Sequence, residues 1–356
     1  MVEYTKPWLS LEQQAEQLAS SGVEVGDRDR AAALLKAVGY YRLTGYLYPF
    51  RKSESYLSGD GRTRTRVLSG YRPGTTLDHA RSIIDFDRQL RMLVMDGLER
   101  IEVAVRMQIG YVLGRTSPFA HIDSANFTAT FTSEGTDPVT GKPTPSSYTT
   151  WLQRVDERRA HSDERFVAYF REKYDDRIPV WALTEILELG QLSVLYRGLR
   201  QQDAEEIALA FGVPTKKLMV SWLASLNYVR NVAAHHARLF NRKLQYAPAR
   251  PKIGRVPLLD HLRHEETAKR IFGTYNALAV IAYLLASIDA ETQWQRRLVA
   301  LLHTFPTSHV LSTSSMGVPL EWESLDLWSP CRTIDPGRDR FDHDLSRAGL
   351  PTSGPS

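Results

Sequence analysis

The chain has 356 residues, 42% of them hydrophobic, and a formal net charge of +4, which is ample for a large buried core in one large domain or two modest ones. The single cysteine, Cys331, excludes an intrachain disulfide. The start MVEYTKPWLSLEQQ lacks the pattern of a signal peptide, so we expect a cytoplasmic protein.

The first 76 residues predict helices that pack on the core. Ser10 followed by Gln13 has the pattern of a capping box, and it opens a helix that Gly22 ends. The segment DRDRAAALLKAVG repeats this form and ends at Gly39. Aromatic residues at helical spacing follow, and this spacing favours core positions for Tyr40, Tyr41, Tyr48 and Phe50.

A long amphipathic helix is predicted from Leu77 to Leu113. This segment has no proline, and apolar residues recur in it at intervals of three and four, as at Ile83, Phe86, Leu90, Leu93, Ile101 and Val105. The next stretch, from Ser124 to Thr150, is rich in Ser, Thr, Gly and Pro. This composition predicts a loop or a poorly ordered insertion at about residues 120–150.

Helical patterning resumes at Trp151, and strand-like alternation is scarce, so the sequence predicts an all-α fold. The apolar run from Ala277 to Ile288 is shorter than the roughly 20 residues that cross a bilayer, so we interpret it as a core helix and expect no membrane partner. We expect residues 77–330 to form the helical core. Residues 331–356 lose apolar periodicity, which predicts a flexible tail.

Charge is distributed unevenly along the chain. The stretch from Ile207 to Leu259 has no Asp or Glu but carries Lys216, Lys217, Arg230, Arg238, Arg242, Lys243, Arg250, Lys252 and Arg255. A positive field of this kind indicates a polyanionic partner. Neutralisation by acidic neighbours in the fold would explain the same pattern, and the sequence leaves both interpretations open.

The segment YVRNVAAHHARLFNR, residues 228–242, concentrates polar chemistry in a predicted helix. On a helical wheel of this segment and the residues before it, from Trp222 onward, the buried side consists of Trp222, Leu226, Val229, Ala233, His236, Ala237 and Phe240. The opposite side holds Asn231, His235, Arg238 and Arg242, with Arg230 and Asn241 at the border. His236 is therefore predicted to be packed, and His235 to face the polar, basic side.

These residue types can cleave RNA without a metal. An imidazole takes the proton from a 2′-hydroxyl or gives one to the departing 5′-oxygen, and a guanidinium stabilises the charge of the phosphorane. DNA lacks the 2′-hydroxyl and is spared. The competing interpretation is that Arg230 and the histidines only neutralise carboxylates of the long helix, such as Glu99 or Glu102.

The positions of Arg230 and His235 also predict a dimer. On an ideal helix they are separated by about 140°, so one helix does not present both side by side. Two copies facing each other around a two-fold axis would do so. We therefore expect a homodimer with a composite active site.

Other reaction classes find little support. The sequence has no Gly-rich phosphate loop, nucleophile elbow or His-Glu-x-x-His helix. His261 and His264 could bind a metal with Glu265, but the sequence has no Cys or second His cluster nearby, which favours an ordinary solvated turn, and we assign no metal. Asp85 and Asp87 point to different faces of a helix, so they do not form a paired-carboxylate site.

Six segments together resemble the Abi-like family of bacterial abortive-infection proteins, of the AbiD and AbiF type: KPWLSLEQQAEQL, LKAVGYYRLTGYLYPFR, FDRQLRMLVMDGLERIEVAVR, PVWALTEILELGQLSVLYRGL, SWLASLNYVRNVAAHHARLFNR and MGVPLEWESLDLW. This family is placed in the HEPN superfamily. The hallmark of that superfamily is an Arg, often a polar residue, and a His after four to six intervening positions. Arg230, Asn231 and His235 match it, and His236 stays within the permitted spacing.

The resemblance implies an all-α, HEPN-type helical bundle with additional N-terminal and C-terminal helices. It also implies a dimeric, metal-independent endoribonuclease without a cofactor, which acts as a toxin in phage defence or in a toxin–antitoxin system with an RNA or protein antitoxin. Arg230 would neutralise the scissile phosphate and His235 would act as general acid or base. Asn231 would orient the phosphate or the imidazole, and His236 would support it. Arg238, Arg242 and Lys243 would contact flanking phosphates of the RNA substrate.

Some HEPN proteins carry a further Glu and a basic residue four positions on in an earlier helix. Glu102 and Arg106 have this spacing, although an ordinary surface ion pair has it too. The family also leaves two alternatives open. One is a non-catalytic RNA-binding or sensor protein, and the other is a role in nucleotidyl transfer, which the lack of a nucleotide-binding loop disfavours.

Overall fold

The computed structural model describes residues 3, 5, 7–263 and 273–329, and this part of the chain is mostly helical, as the sequence predicts. The predicted tail, Cys331, His264 and Glu265 lie outside the described residues. The helices are α1 Leu11–Ser20, α2 Arg28–Val38, α3 Tyr40–Leu47, α4 Leu77–Gly114, α5 Ala129–Thr132, α6 Ser147–Ala160, α7 Arg165–Lys173, α8 Val180–Leu183, α9 Leu189–Gly198, α10 Gln201–Ala210, α11 Lys216–Ala234, α12 Thr274–Ile288 and α13 Trp294–His303. The strands are β1 Arg51–Leu57, β2 Thr63–Tyr71, β3 Gly135–Thr136 and β4 Pro143–Thr144.

The helix α4 is the axis of the fold. It has 38 residues, which corresponds to about 57 Å at the usual rise per residue. The helices α3 and α8 to α13 all pack against it. Every apolar position that the sequence predicts on its inner side is buried, namely Ile83, Phe86, Leu90, Leu93, Ile101 and Val105. The prediction of this helix is therefore confirmed.

Two glycines let neighbouring elements approach α4 closely. A Cβ atom at Gly97 would lie 2.7 Å from Nε1 of Trp294, and one at Gly110 would lie 2.9 Å from the Cα atom of Trp181. The indole N–H of Trp294 donates to the carbonyl of Leu93 at 2.8 Å. Glycine inside a helix is normally unfavourable, so here close packing compensates for it.

The N-terminal helices follow the predicted boundaries. Ser10 and Gln13 form both hydrogen bonds of the capping box of α1, and Gly39 ends α2. The prediction for the aromatic cluster is only partly right. Phe50 is fully buried, but the side chains of Tyr41 and Tyr48 are 80% and 50% exposed, because they lie on the outer side of α3 and of the turn that follows it.

The hairpin of β1 and β2 is not predicted by the sequence. The two strands pair in antiparallel register from Leu57–Thr63 to Arg51–Tyr71, with an irregularity near Lys52. Most side chains on both strands are exposed. A strand that buries neither face has no reason to alternate apolar and polar residues, so the usual sequence signal is missing.

Residues 120–150 are more ordered than predicted. They contain short 3-10 turns, α5 and the small β3–β4 hairpin. Phe127, Phe131 and Tyr148 form an aromatic cluster with ring centroids 5.0 to 6.1 Å apart. Phe131 lies against Gly198 of α9, where a Cβ atom would be 2.3 Å from its ring. Of the two alternatives that the sequence leaves, the loop therefore describes this segment and the poorly ordered insertion does not, because three aromatic side chains anchor it.

The apolar run near the C-terminal end forms α12, as predicted, and nearly all of its residues are buried. Among the described residues, no helix has the combination of length and apolar character that crossing a membrane requires.

Candidate active site

The helix α11, which carries the Arg–His motif, ends earlier than the helical wheel assumes. Its last residue is Ala234. The amide of His236 donates to the carbonyl of Ala233 at 3.1 Å, and that of Ala237 donates to the carbonyl of Val232 at 3.0 Å. These two bonds form a Schellman motif, which usually places glycine at the position of His236. His236 has φ of 56°, a left-handed conformation that is uncommon for a residue with a side chain.

This early end corrects the predicted positions of several residues. His236 is exposed and not packed, because the left-handed turn directs the chain away from the helix axis. Arg238 and Arg242 do not lie on the polar face of a helix, since the segment after His236 is irregular. His235 is exposed, as predicted. It is the C-terminal capping residue of α11.

A buried carboxylate on α4 holds the segment that follows the motif. Asp87 is fully buried. Its Oδ1 atom accepts the amides of Leu239 at 3.1 Å and Phe240 at 2.7 Å, and its Oδ2 atom accepts the hydroxyl of Tyr46 at 2.6 Å and the guanidinium of Arg91. Four donors converge on one side chain. Asp87 has no predicted role in the sequence.

The protonation states within this cluster follow from burial. Burial raises the pKa of the Asp87 carboxyl above its ordinary value, while its hydrogen bonds and the charge of Arg91 act in the opposite direction. Burial and the Asp87 charge raise the pKa of Tyr46 to about 12. The phenol therefore remains a donor at neutral pH. Because all four partners are donors, the geometry is that of an ionised carboxylate.

Two more elements fix the same segment. The hydroxyl of Thr274, at the start of α12, donates to the carbonyl of Leu239 at 2.9 Å. The Phe240 ring is fully buried and lies parallel to the Tyr46 ring at 6.2 Å. The backbone beyond the histidines is thus held by α3, α4 and α12 together. This support limits how far His235 and His236 can move relative to α11.

Arg230 and Asn231 lie one turn before the histidines. Asn231 is exposed and Arg230 is partly buried, and the Nη1 atom of Arg230 lies 3.5 Å from Oδ1 of Asn231. Within the described part of the chain, Arg230 forms no ion pair with Glu99, Glu102 or any other carboxylate. The described residues therefore show no contact that supports the alternative in which Arg230 only neutralises carboxylates of α4.

The three residues predicted to contact flanking phosphates differ in exposure. Arg238 is partly buried and donates to the carbonyl of Gly45 on α3. Arg242 is also partly buried, with its Nε atom donating to the hydroxyl of Tyr228 at 3.1 Å. Lys243 is exposed. The structure thus assigns Arg238 and Arg242 internal partners, and both keep a positive charge near the motif.

Glu102 and Arg106 form the ion pair that their spacing predicts, at 2.5 Å. Their side chains are only 13% and 20% exposed, so this is not a surface pair. The Nε atom of Arg106 also donates to the carbonyl of Leu187 at 3.0 Å, just before α9. Across the described residues, no hydrogen bond or ion pair connects this pair with Arg230 or His235. The pair fastens α9 to α4.

An open cleft of about 430 Å³ begins at Asn231. It lies between α6, α9 and α11 and is lined by Pro145, Ser147, Thr150, Trp151, Arg154, Glu188, Gly190, Gln191, Val194, Arg197, Asn227 and Asn231. Of the predicted catalytic residues, only Asn231 lines it. Sequence reasoning missed this cleft because its residues come from three separate helices.

His261, which the sequence offers as a candidate metal ligand, contacts a tyrosine in the structure. His261 is buried, and its Nε2 atom lies 3.0 Å from the hydroxyl of Tyr275. This side chain is part of the core and not of a solvated turn.

Comparison with protein-family models gives a match that covers much of the chain. The model of the family described as Abi-like protein matches residues 33–241, more than half of the chain. The matched range includes α4, with Asp87 and the Glu102–Arg106 pair, and it ends just after the Arg–His motif. No curated protein and no solved structure matches significantly.

Proposed function

The chain belongs to the Abi-like protein family, and on that basis we propose that it is a metal-independent endoribonuclease of HEPN type that uses Arg230 and His235. Membership of the family suggests a role in abortive infection, a form of defence against phage. RNA cleavage is the chemistry by which such a protein would stop the growth of an infected cell. It requires no cofactor.

One observation carries the proposal. Arg230 and Asn231 lie about one turn before His235, the cap of α11, Asn231 and His235 are exposed, and no described carboxylate pairs with Arg230. A cation and an imidazole that remain available in this way suit a phosphate ligand better than a structural role. The support of the next segment by Asp87 and Thr274 keeps this turn in place.

The proposed reaction divides its work among these groups, with Arg230 of one protomer acting together with His235 of the other, because the two residues are separated by about 140° on one helix. The His235 imidazole moves the proton, either from the attacking 2′-hydroxyl or to the departing 5′-oxygen. The Arg230 guanidinium stabilises the additional negative charge of the phosphorane. Asn231 orients the phosphate or the imidazole, and His236 supports from the left-handed position next to His235. The products are a 2′,3′-cyclic phosphate and a 5′-hydroxyl.

The test is cleavage of total RNA by the purified protein in the presence of EDTA. We expect the wild-type protein to cut and to leave 2′,3′-cyclic phosphate ends. His235→Ala and Arg230→Ala should each lower the rate by about 100-fold or more, the usual contribution of acid–base or charge stabilisation. An RNA with a 2′-deoxy group at the cut position should resist cleavage.

The matched control is His161→Ala. His161 is the exposed capping residue of α6, just as His235 caps α11, so this variant should keep the wild-type rate. Equal cleavage by the wild type and His235→Ala would overturn the assignment. Binding of RNA without cleavage would support the non-catalytic RNA-binding function instead.

We further propose that the enzyme acts as a toxin. Its expression should then stop the growth of a bacterial host, and His235→Ala should not. An antitoxin, either an RNA or a protein, would be encoded nearby and would relieve this arrest.

A further inference from the structure

The cleft between α6, α9 and α11 adjoins the proposed catalytic turn but has no role in the chemistry described above. Asn231 is shared by both. The floor of the cleft is rigid, because Trp151 is buried and its indole N–H donates to the carbonyl of Gln191 at 3.0 Å. This bond ties α6 to α9. The walls of the cleft are therefore preorganised for a ligand.

The charged side chains of the cleft leave a positive surplus. Its one acidic residue, Glu188, pairs with Arg158 at 3.1 Å and also caps the N-terminus of α9. Arg154 and Arg197 are exposed, and neither side chain forms an ion pair or a hydrogen bond with another described residue. Two guanidinium groups thus face the cleft without compensation, which favours an anionic ligand.

The cleft also offers amide groups. Asn227 and Asn231 are four residues apart on α11, so they lie on the same face of the helix one turn from each other. Gly190 makes room for Asn227, since a Cβ atom there would lie 3.2 Å from its Oδ1 atom. A carboxamide has both a donor and an acceptor, which is what the edge of a nucleobase requires.

The size of the cleft limits the ligand. Its volume of about 430 Å³ falls within the range of roughly 300–1,000 Å³ that is typical of small-molecule sites. A site of this size holds one or two unstacked nucleotides and not a duplex. Recognition of unstacked bases is the usual mode of sequence-specific binding to single-stranded RNA.

We propose that this cleft is a substrate subsite that binds a nucleotide of single-stranded RNA next to the scissile phosphate. Arg154 and Arg197 contact the phosphate of that nucleotide, and Asn227 contacts the edge of its base. The inference rests on the proposed ribonuclease function for the identity of the ligand. The cleft gives that function a directional substrate path, from Asn231 towards α6.

Binding is measured with His235→Ala protein, which removes cleavage from the experiment. The probe is a short fluorescein-labelled single-stranded RNA of mixed sequence, followed by anisotropy in EDTA at several salt concentrations. Adding Arg154→Gln or Arg197→Gln should weaken binding about tenfold each, the lower limit for a charged hydrogen bond. Each variant should also reduce, by about one, the slope of the logarithm of the binding constant against the logarithm of the salt concentration.

The control is Arg297→Gln in the same His235→Ala background. Arg297 lies on α13, is about half exposed and pairs with Asp96 at 2.9 Å, so its loss should leave RNA affinity unchanged. Because Arg154 and Arg197 have no side-chain partners in the described part of the chain, their variants should keep the wild-type melting temperature. An unchanged melting temperature distinguishes lost RNA contacts from lost folding.

The two proposals can fail separately. If the wild type cleaves RNA but Arg154→Gln and Arg197→Gln bind as tightly as their parent, the subsite is wrong and the ribonuclease function stands. If the wild type does not cleave but these variants lose affinity, the subsite stands and the ribonuclease function is wrong. Absence of RNA binding to the His235→Ala protein overturns the subsite.

Discussion

Asp87 is the residue that connects the long helix with the catalytic turn. Its carboxylate accepts two backbone amides, a phenol and a guanidinium while fully buried. Such a charge is tolerated in a protein interior only when its hydrogen bonds are complete. Replacing the carboxylate by an amide leaves Arg91 buried without its counter-charge, and the new NH2 group must face either the two backbone amides or the guanidinium, all of which are donors.

We therefore expect Asp87→Asn to lower the free energy of unfolding by about 3–5 kcal/mol, the usual effect of removing one partner of a buried ion pair. The amides of Leu239 and Phe240 should lose protection from hydrogen exchange in the same variant. Asp85→Asn is the control, because the Asp85 side chain is half exposed and its one ion pair among the described residues is with Arg88 at 3.6 Å. It should change stability by no more than about 0.5 kcal/mol. Urea unfolding gives both values, and similar losses in the two variants would contradict the role of Asp87.

The sequence contained a signal for this role. Asp87 and Arg91 are four residues apart, and they interrupt the apolar side of α4 between Ile83 and Leu98. A pair of opposite charges at this spacing on a buried face indicates an internal ion pair. Its partners were not predictable, because Leu239 and Phe240 are 152 and 153 residues away.

At the scale of elements, the glycines of α4 set how closely its neighbours approach. Gly97 stands where the Trp294 indole and the side chain of Ile281 meet the helix, with contacts of 2.7 and 2.9 Å to a Cβ atom. Gly45 of α3 is also inside a helix, but no atom lies within 4 Å of a Cβ atom there. Alanine substitutions at these two positions therefore distinguish the effect of close packing on stability from the effect of helix propensity.

Gly97→Ala should destabilise the protein by about 1–3 kcal/mol, because overpacking exceeds the gain in helix propensity. Gly45→Ala should stabilise it by about 0.5–1 kcal/mol through propensity alone. The midpoints of urea unfolding test both changes. A stabilised Gly97→Ala protein would mean that α13 can move away from α4 at little cost.

Some boundaries of the elements are predictable from local sequence signals and others are not. Helices with caps or an apolar side are predicted correctly, as for α1, α4 and α12, because these signals lie within the helix itself. The end of α11 was misjudged, since a Schellman motif with His236 in place of glycine has no local signal. The hairpin of β1 and β2 was missed because an exposed ribbon has no apolar side.

At the scale of the whole molecule, we expect one active site to use both protomers of a dimer. Although α11 ends at Ala234, the amide of His235 still donates to the carbonyl of Asn231 at 3.0 Å, which is the helical bonding pattern, so His235 keeps its angular separation from Arg230. The expectation of a homodimer therefore rests on this separation and on the family resemblance. It remains a prediction that a complementation experiment can test.

We expect a mixed dimer of one Arg230→Ala protomer and one His235→Ala protomer to recover about half of the wild-type rate. In a composite site, Arg230 of one protomer works with His235 of the other, so one of the two sites in the mixed dimer is intact. The two proteins are co-expressed with different tags, purified through both, and assayed on RNA. A mixed dimer as inactive as either variant alone would place each site within a single protomer.

The sequence by itself determined the mostly helical fold, the long central helix, the family and the motif of Arg230, Asn231 and His235. These properties depend on the periodicity of apolar residues and on short motif spacings, which can be read from the sequence without knowledge of the tertiary contacts. Only the tertiary structure decided where α11 ends, which buried carboxylate holds the turn beyond it, and which cations line a cleft. Such features depend on residues that are distant in the sequence, and packing alone brings them together.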